Sequence, residues 1–164
     1  MATGPRYVVK FRRRREGKTD YKKRLNLLKS ELPRLIIRIS NKYVICQFIK
    51  YETEGDKTVL TVSSKQLASY GWKHSGKNLA AAYLSGYLAG KLAKKKKVTK
   101  AVLDIGLQSP TKSKLFAALK GVVDSGIDIP HNEKAFPSEE RISGAHINEK
   151  IQKDFKTVKE KINK

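Results

Sequence analysis

The apolar residues that follow a polar N-terminal segment fall into short runs that predict a sheet. Residues 35–39, 43–51 and 58–62 are rich in β-branched and aromatic side chains. The polar segments between them, 40–42 and 52–56, are short enough for the tight turns of hairpins. The pattern predicts three antiparallel strands in succession.

A long helix is predicted next, over residues 78–97, because three leucines recur there at four-residue spacing and share one face. Gly86 and Gly90 each weaken a helix interior by roughly 1 kcal/mol relative to alanine. We therefore expect a face of the sheet to approach the helix backbone at these two glycines. The apolar run 101–107 then predicts a buried strand, parallel to the strand that precedes the helix.

Two further helical segments complete an α/β pattern. Residues 115–125 predict a helix that ends at Gly126, and Ser138 followed by two glutamates has the form of a helix start with the serine as cap. From about residue 148, apolar residues recur every three or four positions among lysines, which predicts an amphipathic helix. This stripe either docks on the domain or contacts RNA or a partner protein. Its members are Ile147, Ile151, Phe155, Val158 and Ile162.

The N-terminal segment is strongly basic, and this charge indicates its role. Eleven of the first 30 residues are Lys or Arg, including an unbroken arginine run at positions 12–15. The positive charges of such a segment repel one another unless a polyanion lies against them. We therefore predict an arm that becomes ordered on nucleic acid rather than part of a packed core. The whole chain has 36 basic and 15 acidic residues, a net charge of +21. Such a field favours nucleic acid, an anionic membrane or an acidic protein as partner.

The single cysteine and the hydropathy pattern set further bounds. Cys46 lies in an apolar run, where we predict that it packs as a small hydrophobe. No run approaches the roughly 18 apolar residues of a membrane span. We therefore expect an intracellular protein without a membrane segment.

One segment is similar to a nucleotide site. Residues 71–78 nearly match the phosphate-binding loop G-x-x-x-x-G-K-[ST] with Lys77 as its lysine, and Asp104 ends an apolar strand as a magnesium-binding aspartate would. However, Asn78 lacks the hydroxyl that coordinates magnesium, and the loop does not follow a strand directly. A nucleotide-binding protein remains the alternative function. The same glycine-rich backbone, with Lys73 and Lys77, could instead hold an RNA phosphate.

Catalysis has no positive support in the sequence. Asp104, Asp124 and Asp128 are the only carboxylates near the predicted sheet that could bind nuclease metals, and Asp104 is expected to pair with a lysine or to face solvent. The three histidines lack the spacing of zinc ligands. We predict no enzyme, no metal site and no cofactor.

RNA binding is better supported. The arm interleaves Tyr7, Phe11 and Tyr21 with its cations, so that guanidinium groups can bind phosphates while aromatic faces stack on exposed bases. This mixture favours RNA over an anionic membrane or an acidic protein. Trp72, the only tryptophan, is either a core anchor or a stacking residue.

At these residues the chain resembles a known family. FRRRREGKTDY at 11–21, GWK at 71–73, AAYLSG at 81–86 and AVLDIGL at 101–107 are similar to the archaeal-type ribosomal protein L-eighteen family, whose eukaryotic counterpart is ribosomal protein L-five. FAALKG at 116–121, IDIPH at 127–131 and RISGAHI at 141–147 extend the match. The resemblance covers about residues 4–150, in order and with unbroken spacing.

The resemblance implies a structural protein of the large ribosomal subunit in the cytoplasm. Its fold would be a three-layer α/β domain with a mixed sheet, and its partners 5S rRNA, large-subunit rRNA and neighbouring proteins of the central protuberance, including ribosomal protein L-five of the bacterial and archaeal nomenclature. We expect a basic RNA-binding arm over residues 1–30, an α/β core over 31–135 and a C-terminal helical extension over 136–164. The predicted RNA contacts are Arg6, Lys10, Arg12, Arg13, Arg14, Arg15, Lys18, Tyr21, Lys22, Arg24, Trp72, Lys73, His74, Lys77, Arg141 and His146.

Overall fold

A four-stranded mixed sheet organises the chain in a computed structural model that describes residues 4–109 and 113–163. Strands β1 (Arg34–Ile39), β2 (Val44–Glu52) and β3 (Gly55–Ser63) are successively antiparallel, and β4 (Val102–Asp104) pairs in parallel with β1. The sheet order is therefore β3-β2-β1-β4. The helices are α1 (Arg12–Arg15), α2 (Tyr21–Leu28), α3 (Leu79–Lys95), α4 (Ser113–Asp124), α5 (Glu139–Ser143) and α6 (Glu149–Asn163), with 3₁₀ helices at Ser64–Tyr70 and Glu133–Ala135.

The predicted fold class, an α/β domain with a mixed sheet and C-terminal helices, is confirmed. Helices α3 and α4 cover one face of the sheet, and α5 and α6 pack on α3 away from the strands. Alternation along β1 decides which side chains face this core. Leu35 and Ile37 are fully buried in it, whereas Arg34, Ile36 and Arg38 line a cleft on the opposite face.

The predicted strand at 101–107 is shorter and more exposed than expected. It runs in the same direction as β3, as predicted, but its hydrogen-bonded neighbour is β1, and its three residues are half-buried at the sheet edge. The strand ends at Asp104 because Gly106 has a left-handed φ of 58° and its N–H donates to the Asp104 carboxylate at 2.9 Å. The residues after Asp104 therefore form a turn.

The glycines of α3 do allow a close approach, but the prediction that the sheet makes it was wrong. A Cβ at Gly86 would overlap the carbonyl oxygen of Ala118, and one at Gly90 would overlap the side chain of Ser125. Both obstacles belong to α4 or to its C-terminal end. Helix α3 therefore packs against α4 almost backbone to backbone.

The amphipathic C-terminal segment docks on the domain. The apolar side chains of α6 at Ile151, Phe155, Val158 and Ile162 are buried, whereas Ile147, in the turn before the helix, is exposed. This confirms the docked interpretation of the stripe.

Polar contacts fix α6 against α3. Lys159 Nζ lies 5.1 Å from the ring centroid of Tyr83 and donates to its hydroxyl at 3.0 Å. The Tyr83 hydroxyl donates to Asp124 of α4 at 2.7 Å. Burial, followed by the bond to Asp124, raises the pKa of Tyr83. Tyr87 adds a bond from its hydroxyl to the Asn163 side chain at 2.6 Å.

Two smaller expectations are also resolved. Ser138 occupies the N-cap position of α5 but makes no side-chain capping bond, so the predicted serine cap was wrong in its chemistry.

Within the part of the chain that the structure describes, no helix is long and apolar enough to cross a membrane.

Candidate RNA-binding surface

The arginine run forms one exposed helical turn, α1, with no buried residue. Arg13 Nε donates to the Thr19 hydroxyl at 2.9 Å. Among residues 4–109 and 113–163, no carboxylate pairs with Arg12, Arg14 or Arg15. Three exposed guanidinium groups of one helical turn, on a chain of net charge +21, are therefore available to an external anion.

The segment after α1 has a defined conformation of its own. The Asp20 carboxylate caps α2 by accepting from the N–H groups of Lys22 at 3.0 Å and Lys23 at 3.1 Å. The Phe11 and Tyr21 rings pack together with centroids 5.2 Å apart, although Phe11 is largely exposed. Tyr21 is thus half-covered by its neighbour and keeps part of its ring accessible to a base.

Helix α2 is attached to the sheet by charged contacts. Arg24 forms a two-pronged ion pair with Asp56 of β3, with both N···O distances 2.9 Å. Arg34, only 2% exposed, bonds the same carboxylate at 2.7 Å and Asp104 at 2.8 Å. Burial alone would raise the pKa of Asp56, but the bonds from Arg24 and Arg34 outweigh it and hold that pKa below its ordinary value.

A cleft of about 920 Å³ lies between the arm and the face of the sheet that α3 and α4 leave uncovered. Its walls combine arm residues with the outward-facing positions of β1 and with the turn that follows β4. The cationic residues that line it are Arg13, Lys18, Lys23, Arg24, Arg34 and Arg38. Arg13 and Lys18 are predicted RNA contacts, and Arg38 and Lys23 extend the same basic surface.

The glycine-rich loop decides between the two roles left open for Trp72. Its ring is only 5% exposed in the core, and Nε1 donates to the Ser75 carbonyl at 3.3 Å. Trp72 is therefore a core anchor, and the stacking interpretation was wrong. His74 packs edge-on against Trp72 and pairs with Asp154 of α6 at 2.8 Å, whereas Lys73 is exposed.

The same loop does not have the architecture of a nucleotide site. The 3₁₀ helix Ser64–Tyr70 separates it from β3, so no strand runs directly into the loop. Asn78 uses its side chain to cap α3, accepting from the Ala81 N–H at 2.7 Å. Asp104 pairs with Arg34, not with a lysine or with solvent as expected, and this leaves its position unlike that of a magnesium ligand. Half-buried Lys77 is therefore not combined with the magnesium-binding hydroxyl and aspartate that accompany the lysine of a nucleotide site.

The remaining predicted contacts are exposed but lie on more than one surface. Arg6, Lys10 and Lys22 belong to the arm, whereas Arg141 lies in α5 and His146 in the turn between α5 and α6. Because those helices pack on α3, they lie across the sheet from the cleft. The structure thus does not bring all predicted contacts together.

Strand periodicity would have revealed two residues of the cleft that the predicted contacts omit. Arg34 and Arg38 share one face of β1 with Ile36, because alternate residues of a strand point the same way. Asp56 had no such signal, since its role depends on pairing with residues distant in sequence.

The described ranges contain neither a group of metal ligands nor an exposed cysteine. No group of three or more His, Cys, Asp or Glu side chains there could hold a metal ion. Cys46 is fully buried, and burial raises its pKa to about 12, so it packs as predicted and stays a thiol.

An α/β domain with an exposed arginine arm and a cationic cleft is the architecture of a nucleic-acid-binding protein. The family model described as "Ribosomal large subunit proteins 60S L5, and 50S L18" matches residues 5–98 and 91–132. The chain therefore belongs to this family of large-subunit ribosomal proteins.

Individual proteins similar to this chain carry names from the same family. The large ribosomal subunit protein uL18 of Korarchaeum cryptofilum is 59% identical over 148 residues, which are 90% of this chain and 76% of that protein. The protein of the same name from Aeropyrum pernix is 51% identical over 90% of this chain and 70% of its own length. That of Methanothrix thermoacetophila is 47% identical over 99% of both chains.

Family membership confirms the coarse functional predictions. The role is structural rather than enzymatic, in the large subunit of the cytoplasmic ribosome, with rRNA and ribosomal proteins as partners.

Proposed function

We propose that this chain binds 5S rRNA and helps attach it to large-subunit rRNA in the central protuberance, beside ribosomal protein L-five of the bacterial and archaeal nomenclature. The observation that carries the proposal is the group of exposed arginines in α1 that have no carboxylate partner among the described residues. The resemblance of the arm and loop motifs to the L-eighteen family selects 5S rRNA as the polyanion.

The mechanism divides the work between the arm and the domain. Guanidinium groups of the arm bind phosphates in bidentate geometry, and Tyr21 stacks on an unpaired base. The domain holds the arm beside the cationic cleft, so that phosphates on both sides of the arm are neutralised together. Most of the affinity is then electrostatic and depends strongly on salt.

The test replaces the four arginines of α1 (Arg12–Arg15) by glutamine and measures affinity for a 5S rRNA transcript against salt concentration. Each lost phosphate contact lowers the slope of log K against log[salt] by about 0.7–0.9, so four should lower it by about 3–4. Unchanged circular dichroism is expected, because α1 buries nothing.

A matched control removes the same charge elsewhere. Replacing Lys94, Lys95, Lys96 and Lys97 by glutamine also lowers the formal charge by four, at the C-terminal end of α3. We expect a slope change of less than about 1 for this variant. Equal losses from both variants would mean that general positive charge, not the arm, binds the RNA.

Specificity for 5S rRNA needs its own measurement. Unlabelled 5S rRNA should displace the labelled transcript at much lower concentration than transfer RNA does at the same salt. In reconstitution with large-subunit rRNA, omission of the protein should reduce incorporation of 5S rRNA. Equal competition by the two RNAs would refute the 5S assignment while leaving a general rRNA-binding role.

A further inference from the structure

We propose that Asp56 is a positioning residue for RNA binding: it fixes α2 to the sheet through Arg24 and thereby sets where the arm meets the RNA. Arg24 is then an anchor of the arm rather than one of its phosphate contacts. This inference rests on the proposed RNA-binding function, and it changes the role predicted for Arg24 from the sequence.

The contact has the geometry of a strong anchor. Arg24 Nη1 and Nη2 donate to Asp56 Oδ2 and Oδ1, each at 2.9 Å, so both prongs of the guanidinium group are engaged. Asp56 lies at the start of β3 and also accepts from Arg34 at 2.7 Å. Since Arg34 is almost fully buried, the carboxylate is itself held in place by the body of the domain.

Charge balance argues that Arg24 stays on Asp56 when RNA binds. Arg24 and Arg34 face Asp56 and Asp104, which makes two positive and two negative groups. Transfer of Arg24 to a phosphate would leave this cluster with one guanidinium group and two carboxylates, a local net charge of −1 next to the bound phosphate. That charge would repel the RNA, and screening is weak for partly buried groups.

A second contact restrains the same helix. Lys23 Nζ donates to the Gly106 carbonyl at 3.1 Å, in the turn that follows β4. Arg24 and Lys23 thus bind β3 and the end of β4, on opposite sides of the buried Arg34. With eight residues, α2 is too short to be stable alone in water, so these contacts decide its orientation.

The first experiment compares Asp56→Asn with Glu52→Gln. Both substitutions remove one negative charge, but Glu52 pairs with Lys57 at 3.5 Å on the exposed hairpin and, among the described residues, with no group of α2. Charge alone predicts slightly tighter RNA binding for both variants. We expect Asp56→Asn to bind a 5S rRNA transcript about tenfold more weakly, and Glu52→Gln to bind at least as tightly as the unaltered protein.

Hydrogen exchange on the free protein tests the positioning directly. In Asp56→Asn the amides of α2 should exchange about tenfold faster, whereas those of α3 should not change. This readout does not involve RNA. If the unaltered protein showed no preference for 5S rRNA, the proposed function would fail, and the exchange result would still decide whether Asp56 positions the arm.

A second variant leaves the buried pairs intact and so guards against a general folding defect. Arg24→Gln should weaken RNA binding with an unchanged salt slope, because no phosphate contact is lost. If Arg24 bound a phosphate, the slope would fall by about 1. Such a fall would overturn the proposal, as would tighter binding or unchanged α2 exchange in Asp56→Asn.

Discussion

The contact between α3 and α4 makes a prediction that runs against helix propensity. Replacing Gly86 by alanine in an ordinary helix stabilises it by about 1 kcal/mol. Here the new Cβ would lie 2.8 Å from the carbonyl carbon of Ala118 and would overlap its oxygen. Carbon atoms in good contact are about 3.5–4.0 Å apart, so the two helices would have to separate by at least about 0.7 Å.

The magnitude follows from the rigidity of the obstacle. Overpacking a core costs about 1–3 kcal/mol, and the upper end applies because backbone, not a flexible side chain, blocks the methyl group. After subtraction of the propensity gain, Gly86→Ala should destabilise the protein by about 2 kcal/mol. For a chain of this size the melting temperature should fall by about 4–8 °C.

Thermal unfolding followed by circular dichroism gives the measurement. Gly121→Ala should behave similarly, because its Cβ would lie 2.8 Å from the backbone nitrogen of Tyr87 at the same crossing. The double variant should cost less than the sum of the two, since one separation of the helices relieves both clashes. Thr157→Ala on the exposed side of α6 is the control and should change stability by less than about 0.5 kcal/mol. A Gly86→Ala protein that melts at or above the unaltered temperature would refute the close-packing argument.

Two further predictions concern a helix cap and pH. Asn78→Ala removes the acceptor for the Ala81 N–H and should lower the free energy of unfolding by about 1 kcal/mol in a urea titration. The control is Asn132→Ala, which removes a cap from a single 3₁₀ turn and should cost less. Equal losses from the two variants would argue against the cap. Because its partners lower the pKa of Asp56, the stability this group contributes should be fully present above its unfolded pKa of about 3.9 and lost as pH falls through the lower folded value. The stability difference between the unaltered protein and Asp56→Asn should therefore shrink below about pH 4, and a difference that persists unchanged to pH 2 would contradict this.

Local patterns in the sequence predicted those parts of the fold that local forces determine. The three antiparallel strands, α3, α4 and α6 each follow from periodicity within a few residues. The neighbour of β4 was not predictable in this way, because a parallel strand can join either edge of a sheet and the choice depends on packing between distant segments. The partner of Gly86 was missed for the same reason: a helical glycine indicates a close approach but not which element makes it.

The candidate site likewise contains residues whose role the local sequence predicts and residues whose role depends on distant contacts. The exposed arginines of α1 could be predicted, since a dense run of like charge cannot be buried. Arg24 has the same composition signal as its neighbours, yet the structure pairs it with Asp56, a residue that only the β2–β3 hairpin brings near. Trp72 likewise lies in a basic, glycine-rich loop but is buried, so the chemistry of its neighbours was a poor guide to its exposure.

The central position of α3 has a consequence for how the protein is made. This helix contacts β2, β3, α4, α5 and α6, so its cover comes from segments that precede it and from segments synthesised long after it. At ordinary rates of translation, α6 follows α3 by a time on the order of seconds. During that interval Tyr83 and its apolar neighbours lack their final cover and are open to aggregation. The packing around α3 is therefore complete only after α6 has been synthesised, and a basic chain that binds RNA earlier would do so before α6 covers this helix.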